Sequence, residues 1–131
     1  MSTPKEILKD WLEATNRFDL DFVASKVSPD ITSTLKSSGI DTHGKEAFLE
    51  ATRTVWQTYP DRQLIVKRMF GEGDLVAVEA EFVATSQGGA DLPPAGTPIH
   101  MDLCTIFTVR DGLVVEERNF IDNQHLKIGR T

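Results

Sequence analysis

Glu79 and Glu81 stand two residues apart in one stretch rich in Val, Ala and Phe, and Glu117 and Asn119 stand two apart in another. In an extended chain alternate residues share a face, so each pair projects from one side of its strand with Cα atoms about 6.5 Å apart. Carboxylates gathered in an apolar site repel one another and lose hydration. Both effects raise their pKa toward the range useful for acid–base work. Glu79, Glu81 and Glu117 are therefore the candidate proton-transfer groups. A structural reading stands beside this one: Lys67 and Arg68 can pair with Glu79 and Glu81 across a hairpin as a solvated ladder.

Other chemistries find less support. Gly71-x-Gly73 lacks a third glycine and lies between strands, so it reads as a hairpin turn rather than a dinucleotide loop. His43, His100 and His125 are widely spaced and show no metal-ligand pattern, so neither a metal nor another cofactor is expected. No nucleophile-elbow sequence is present. The lone Cys104 excludes an internal disulfide and, inside an apolar run, is expected to be a buried, inert thiol. Asp122, just after the last strand, is expected to cap a turn at 123–126 or to act catalytically.

The 131 residues carry 40% hydrophobic and 26% charged side chains, the profile of one globular domain with a real core. Fourteen basic against twenty acidic residues give a net charge of −6, and Lys67-Arg68 is the basic pair, so a nucleic-acid partner is not expected. No apolar run approaches the roughly 18 residues of a membrane span, and Met1–Glu6 has no signal-like hydrophobic region. A cytoplasmic protein without a membrane partner is expected.

The elements that must position the candidates follow from the periodicities. Thr3-Pro4-Lys5-Glu6 reads as a capping box opening a helix to about residue 17, with Ile7, Leu8, Trp11, Leu12 and Thr15 on its apolar face. Asp19 can cap a shorter helix that ends at Ser28-Pro29-Asp30, and 31–36 reads as a short strand. A third helix opens at Gly44, carries Phe48, Ala51, Val55 and Trp56 at helical spacing, and closes at Tyr59-Pro60-Asp61. Beyond Pro60 the period becomes two, predicting strands over 62–70, 75–85, 99–110 and 113–121, with a long loop over 86–98. Helices followed by strands imply an α+β fold with helices on one face of a curved antiparallel sheet. Strand 99–110 is apolar on both faces. Its second face, with His100, Asp102, Cys104 and Ile106, suggests a homodimer.

This order of elements, with Thr42-His43-Gly44-Lys45-Glu46-Ala47-Phe48, Tyr59-Pro60-Asp61, Gly96-Thr97-Pro98 and Arg110-Asp111-Gly112-Leu113-Val114-Val115-Glu116 leading to Phe120-Ile121-Asp122, resembles the nuclear transport factor 2-like superfamily. Within it the chain most resembles the SnoaL-like polyketide cyclases, over its whole length of 1–131. The resemblance implies a cone in which three N-terminal helices close against a curved antiparallel sheet, leaving a pocket for a small, mostly apolar ligand. It also implies that Glu79, Glu81, Thr105, Glu117, Asn119 and Ile121 point into the cone, with Trp11, Leu35 and Phe48 approaching from the helical side.

The chain departs from its relatives where they do their chemistry. The inward histidine and aspartate of the SnoaL-like cyclases correspond to Thr105 and Asn119. Ketosteroid isomerases place a base near Leu35 and a tyrosine near Trp11, and both groups are absent. The Asp-Arg-Asp set of limonene epoxide hydrolases corresponds to Glu81, Glu79 and Asn119. The resemblance thus implies a small hydrophobic or polyketide-like ligand. Its expected fate is acid–base cyclisation, isomerisation or hydration through Glu79, Glu81, Glu117 and Asn119. The alternative is a ligand-binding or dimerisation module without turnover.

Overall fold

The computed structural model describes residues 2–36 and 38–122. Helix α1 (Pro4–Asn16) starts where the capping box predicts: Glu6 N donates to Thr3 Oγ1 at 3.1 Å and Thr3 N to Glu6 Oε1 at 3.0 Å. Its face of Leu8, Trp11, Leu12 and Thr15 is buried. Asp19 caps α2 (Leu20–Ser25) through its carboxylate, which accepts from Phe22 N. Strand β1 (Val27–Leu35) begins at once, four residues before the expected strand, so Ser28-Pro29-Asp30 lies within it rather than between elements. Strand β2 (Ile40–His43), which alternation did not reveal, pairs back antiparallel onto β1. Helix α3 (Lys45–Thr58) follows Gly44, whose φ of 91° is a conformation side chains rarely adopt.

Four long strands complete the chain: β3 (Gln63–Glu72), β4 (Leu75–Thr85), β5 (Pro98–Arg110) and β6 (Leu113–Asp122). They form one curved six-stranded sheet in the order β2-β1-β6-β5-β4-β3. The sheet is mixed, which corrects the expected antiparallel one: β1 runs parallel to β6, while every other neighbouring pair is antiparallel. Parallel pairing needs a long crossover, here the intervening chain from β2 to β5. The helices are also not one leading group, because β1 and β2 separate α2 from α3.

Leu8, Trp11 and Leu12 of α1 and Phe48 and Leu49 of α3 bury against Val76, Val78 and Ala80 of β4, Phe107 and Val109 of β5 and Val114 of β6. Two irregularities set which residues reach this side. The register of β6 slips against β5 between Thr108 and Val109, so Val114 lies in the core and, beyond the slip, Glu117 pairs with Phe107. The register of β3 slips against β4 between Val66 and Arg68. Lys67 is the extra residue, and with Arg68 it serves the opposite face. No helix among the described residues is long and apolar enough to cross a membrane.

Candidate functional site

Parallel pairing of β1 and β6 puts Ser33 beside Glu117 and Leu35 beside Asn119, while antiparallel β5 puts Thr105 beside Asn119. Four polar side chains from three strands thereby meet on the inner face of the sheet. Thr105 Oγ1 donates to Asn119 Oδ1 at 2.8 Å, and Asn119 Nδ2 donates to Glu117 Oε1 at 2.8 Å and to the Thr34 carbonyl at 3.2 Å. Two acceptors on one side fix which end of the amide is the nitrogen. Ser33 Oγ donates to the same Glu117 Oε1 at 2.9 Å.

Burial pushes the Glu117 carboxyl above its ordinary value, and the hydrogen bonds from Asn119 and Ser33 pull it partly back. Both donors go to Oε1. Oε2 accepts no hydrogen bond among the described residues, and this half-buried residue lines a cavity. A carboxylate with one oxygen held and the other free, raised in pKa, is equipped to take a proton and give it back.

The cavity holds about 440 Å³ between the helices and the inner face of the sheet. That volume lies within the roughly 300–1,000 Å³ of small-molecule sites. Trp11, Phe48, Val55, Trp56, Phe107 and Ile121 make its walls largely apolar. Ile40 and Val55 line it while 55% and 40% exposed, so its mouth lies between β2 and α3. Trp11 stacks on Phe48 with centroids 6.1 Å apart and meets the edge of Phe107 at 5.8 Å. Its indole N–H is spent on the Val23 carbonyl at 3.1 Å.

Trp11, Leu35, Phe48, Thr105, Glu117, Asn119 and Ile121 all line this cavity, where the sequence reading put them. Glu79 and Glu81 do not, and their inward assignment is corrected. Val76, Val78, Ala80 and Phe82, the even positions of β4, are the buried ones. Glu79 and Glu81 lie on the outer face, paired with Arg68 at 2.9 Å and Lys67 at 3.2 Å. The slip in β3 brings both cations to that face, so the solvated ladder is what forms. The Lys67 ammonium, hydrogen-bonded to Glu81, is the main reason its carboxyl titrates below the usual range.

Two further expectations change on the outer face. Cys104 is exposed rather than buried, because β5 carries its core residues at odd positions. Strand pairing also gathers Glu81, His100 and Asp102, whose ligand atoms lie within 4.8 Å of one another, a grouping that wide sequence spacing does not reveal. His100 Nε2 is 3.3 Å from Glu81 and 3.7 Å from Asp102, and Lys67 already occupies the other Glu81 oxygen, which disfavours a bound cation. A larger hollow of about 1020 Å³ lies here, but Lys67, Arg68, Glu79, Glu81, Asp102 and Asp122 line it with charge. The smaller inner cavity is therefore the candidate site. The turn that Asp122 was expected to cap and His125 lie outside the described residues.

Sequence reasoning missed Ser33, Tyr59 and Arg62 in the cavity lining. Ser33 becomes visible only through the parallel β1–β6 register. Tyr59 and Arg62 flank the Pro60-Asp61 corner, which reads as punctuation although it turns both side chains inward. Burial raises the Tyr59 hydroxyl above its ordinary pKa.

The family model described as SnoaL-like polyketide cyclase matches residues 5–127. This chain belongs to that family. No curated protein sequence matches this SnoaL-like protein. Among solved structures it is similar to IdmH of Streptomyces antibioticus, a polyketide cyclase candidate, with 25% identity, a TM-score of 0.84, and 95% of this chain and 96% of that one covered. It is similar to AclR of Streptomyces galilaeus, a hydroxylase candidate, at 25% identity and a TM-score of 0.80, covering 98% of this chain and 85% of that one. A SnoaL-like cyclase candidate from Shewanella putrefaciens CN-32 shares 15% identity with a TM-score of 0.84, covering 95% and 93% of the two chains, which speaks for the fold alone. These structures agree with this chain in shape, and the polar set of the present cavity is Ser33, Thr105, Glu117 and Asn119.

Proposed function

We propose that this SnoaL-like protein binds a small, largely apolar, polyketide-like molecule in the inner cavity and catalyses an acid–base cyclisation, isomerisation or hydration. Glu117 is the proton-transfer group. The observation that carries the reading is a single half-buried carboxylate with a raised pKa, held on one oxygen by Asn119 and Ser33 and lining an apolar cavity. In an isomerisation, Glu117 Oε2 takes a proton from a carbon next to a carbonyl. The C–H electron pair moves into that carbonyl as an enolate, and the protonated Glu117 returns the proton at another carbon. In a hydration the same oxygen takes a proton from water as the water oxygen bonds to the β carbon of an unsaturated carbonyl, the C=C pair shifts to leave an enolate, and the protonated Glu117 returns the proton to the α carbon. Asn119 and Ser33 position the carboxylate, and Thr105 positions Asn119. The cytoplasm is the compartment proposed with it, on the sequence grounds given above.

A panel of aromatic polyketide, steroid and terpenoid compounds, screened by thermal stabilisation and then assayed for turnover, tests this. The expected result is turnover of a stabilising compound that Glu117→Gln loses while still binding it. Stabilising compounds that are never turned over favour the non-catalytic binding module instead.

We also propose a homodimer through the outer face of the sheet. Ile65 and Phe120 are 43% and 39% exposed there, beside exposed Cys104. Light scattering should give twice the 14.6 kDa chain mass, and a monomer at micromolar concentration sinks the proposal.

A further inference from the structure

Arg62 is 6% exposed, yet no carboxylate lies within ion-pair distance of it among the described residues. One of its five N–H groups is used, Nη1 donating to the Thr15 carbonyl at 2.9 Å, at the C-terminal turn of α1. Its guanidinium carbon lies 5.8 Å over the Phe82 ring, which Tyr59 meets edge-on at 5.2 Å. Arg62, Phe82, Tyr59 and Thr15 all line the inner cavity. Among the described residues no other hydrogen-bond partner of the guanidinium is found, and Arg62 itself is part of the cavity wall. A cation taken out of water without a counter-charge is costly, and one carbonyl with one ring face compensates it only in part.

Apart from the Thr42 and Tyr59 hydroxyls and the Trp56 indole, the neutral side-chain donors of the lining are committed. Trp11 Nε1 donates to Val23 O, Thr15 Oγ1 to Leu12 O, Thr52 Oγ1 to Phe48 O and Thr105 Oγ1 to Asn119. Arg62 is thus the charged donor the cavity still offers to a ligand. It also lies toward the far end from Glu117. Glu117 pairs with Phe107 and Phe82 with Met101, and these β5 positions are six residues apart, about 20 Å of strand.

We propose that the cavity selects ligands with an anionic group, a carboxylate or an ionised enol or phenol, bound by Arg62, with the apolar body reaching toward Glu117. This rests on the inner cavity being the ligand site, as proposed above, and names the charge class of its occupant. A guanidinium matches the planar two-oxygen edge of a carboxylate, which an ammonium does not.

Calorimetric titration with 2-naphthoate and with 2-naphthylmethanol tests it, because the two share a ring system and differ in charge. The expected result is at least about tenfold tighter binding of the naphthoate, the scale of a charge-assisted hydrogen bond away from water. Arg62→Met should remove that preference and Arg62→Lys should keep part of it. Lys67→Met, a control on the outer face, should leave it intact. The wild-type ratio stands even if Arg62→Met does not fold. Equal affinities, or a preference lost in Lys67→Met and kept in Arg62→Met, overturn the assignment to Arg62 while leaving the cavity as a ligand site. Binding of neither compound overturns the assignment and the cavity reading together.

Discussion

Asn119 Nδ2 lies 2.8 Å from Glu117 Oε1, two residues back on the same face of β6. The contact joins the one ionisable side chain in this polar set to a neutral amide at the position where the SnoaL-like cyclases are expected to carry an aspartate. An aspartate there would place two carboxylates side by side. Asparagine instead supplies a donor that stabilises the charged form of Glu117 against its burial.

Asn119→Leu removes that donor and leaves the Thr105 hydroxyl without its acceptor. The expected loss of stability is about 1–3 kcal/mol, the cost of orphaned buried polar groups. Glu117 should also titrate higher than in the wild type. Urea unfolding and a carboxyl titration check the two halves separately.

The pH dependence of stability follows from the raised pKa of Glu117. A carboxyl whose folded pKa exceeds its unfolded value carries no penalty well below the unfolded pKa, and a full one above the folded pKa. Glu117→Gln should therefore gain stability relative to wild type as pH rises from 4 to 7. A difference that stays constant across that range contradicts the burial argument.

Glu81 should behave with the opposite sign. Its carboxyl is lowered by Lys67 first and by His100 as well, so its stabilising contribution is present at neutral pH and fades as pH falls through its folded pKa. Glu79→Gln and Glu81→Gln should leave ligand binding and turnover unchanged, since both residues lie on the outer face. Loss of turnover in either variant would return the outer face to the mechanism.

Trp11→Phe keeps an aromatic ring between Phe48 and Phe107 but removes the indole donor to the Val23 carbonyl, which keeps its second donor, Lys26 N at 3.2 Å. A destabilisation of about 0.5–1.5 kcal/mol in urea, the scale of one hydrogen bond, is expected. Because that N–H never faced the ligand, the charge preference of the cavity should not change.

The Glu81, His100 and Asp102 grouping gives a further outcome. With Lys67 3.2 Å from Glu81, a strong chelator should leave the melting temperature and any turnover unchanged. A chelator-dependent loss of either would point to a resident metal.

The parts of the fold written in local chemistry were legible before any coordinates. The Thr3–Glu6 box, the Asp19 cap and the two-residue period of β4, β5 and β6 each depend on neighbours a few residues away. What depended on distant pairing was not. β2 is four residues long, and the parallel β1–β6 contact joins residues more than eighty positions apart, so Ser33 could not be connected to Glu117. The acidic pair went astray for a different reason. On β4 alternation separates two faces without saying which is buried; the resemblance implies that Glu79 and Glu81 point inward, whereas Val76, Val78, Ala80 and Phe82 are the buried face. On β6 the family register and the structure agree for Glu117, Asn119 and Ile121, although the slip at Val109 puts Val114 in the core as well.

The proton-transfer role of Glu117 is tested most directly by following its side-chain carboxyl carbon by NMR while the folded protein is titrated with acid. The account predicts a midpoint clearly above the model-peptide value of about 4.3, because burial outweighs the two hydrogen bonds on Oε1. A midpoint at or below that value would mean a solvated or fully compensated carboxylate and would contradict it.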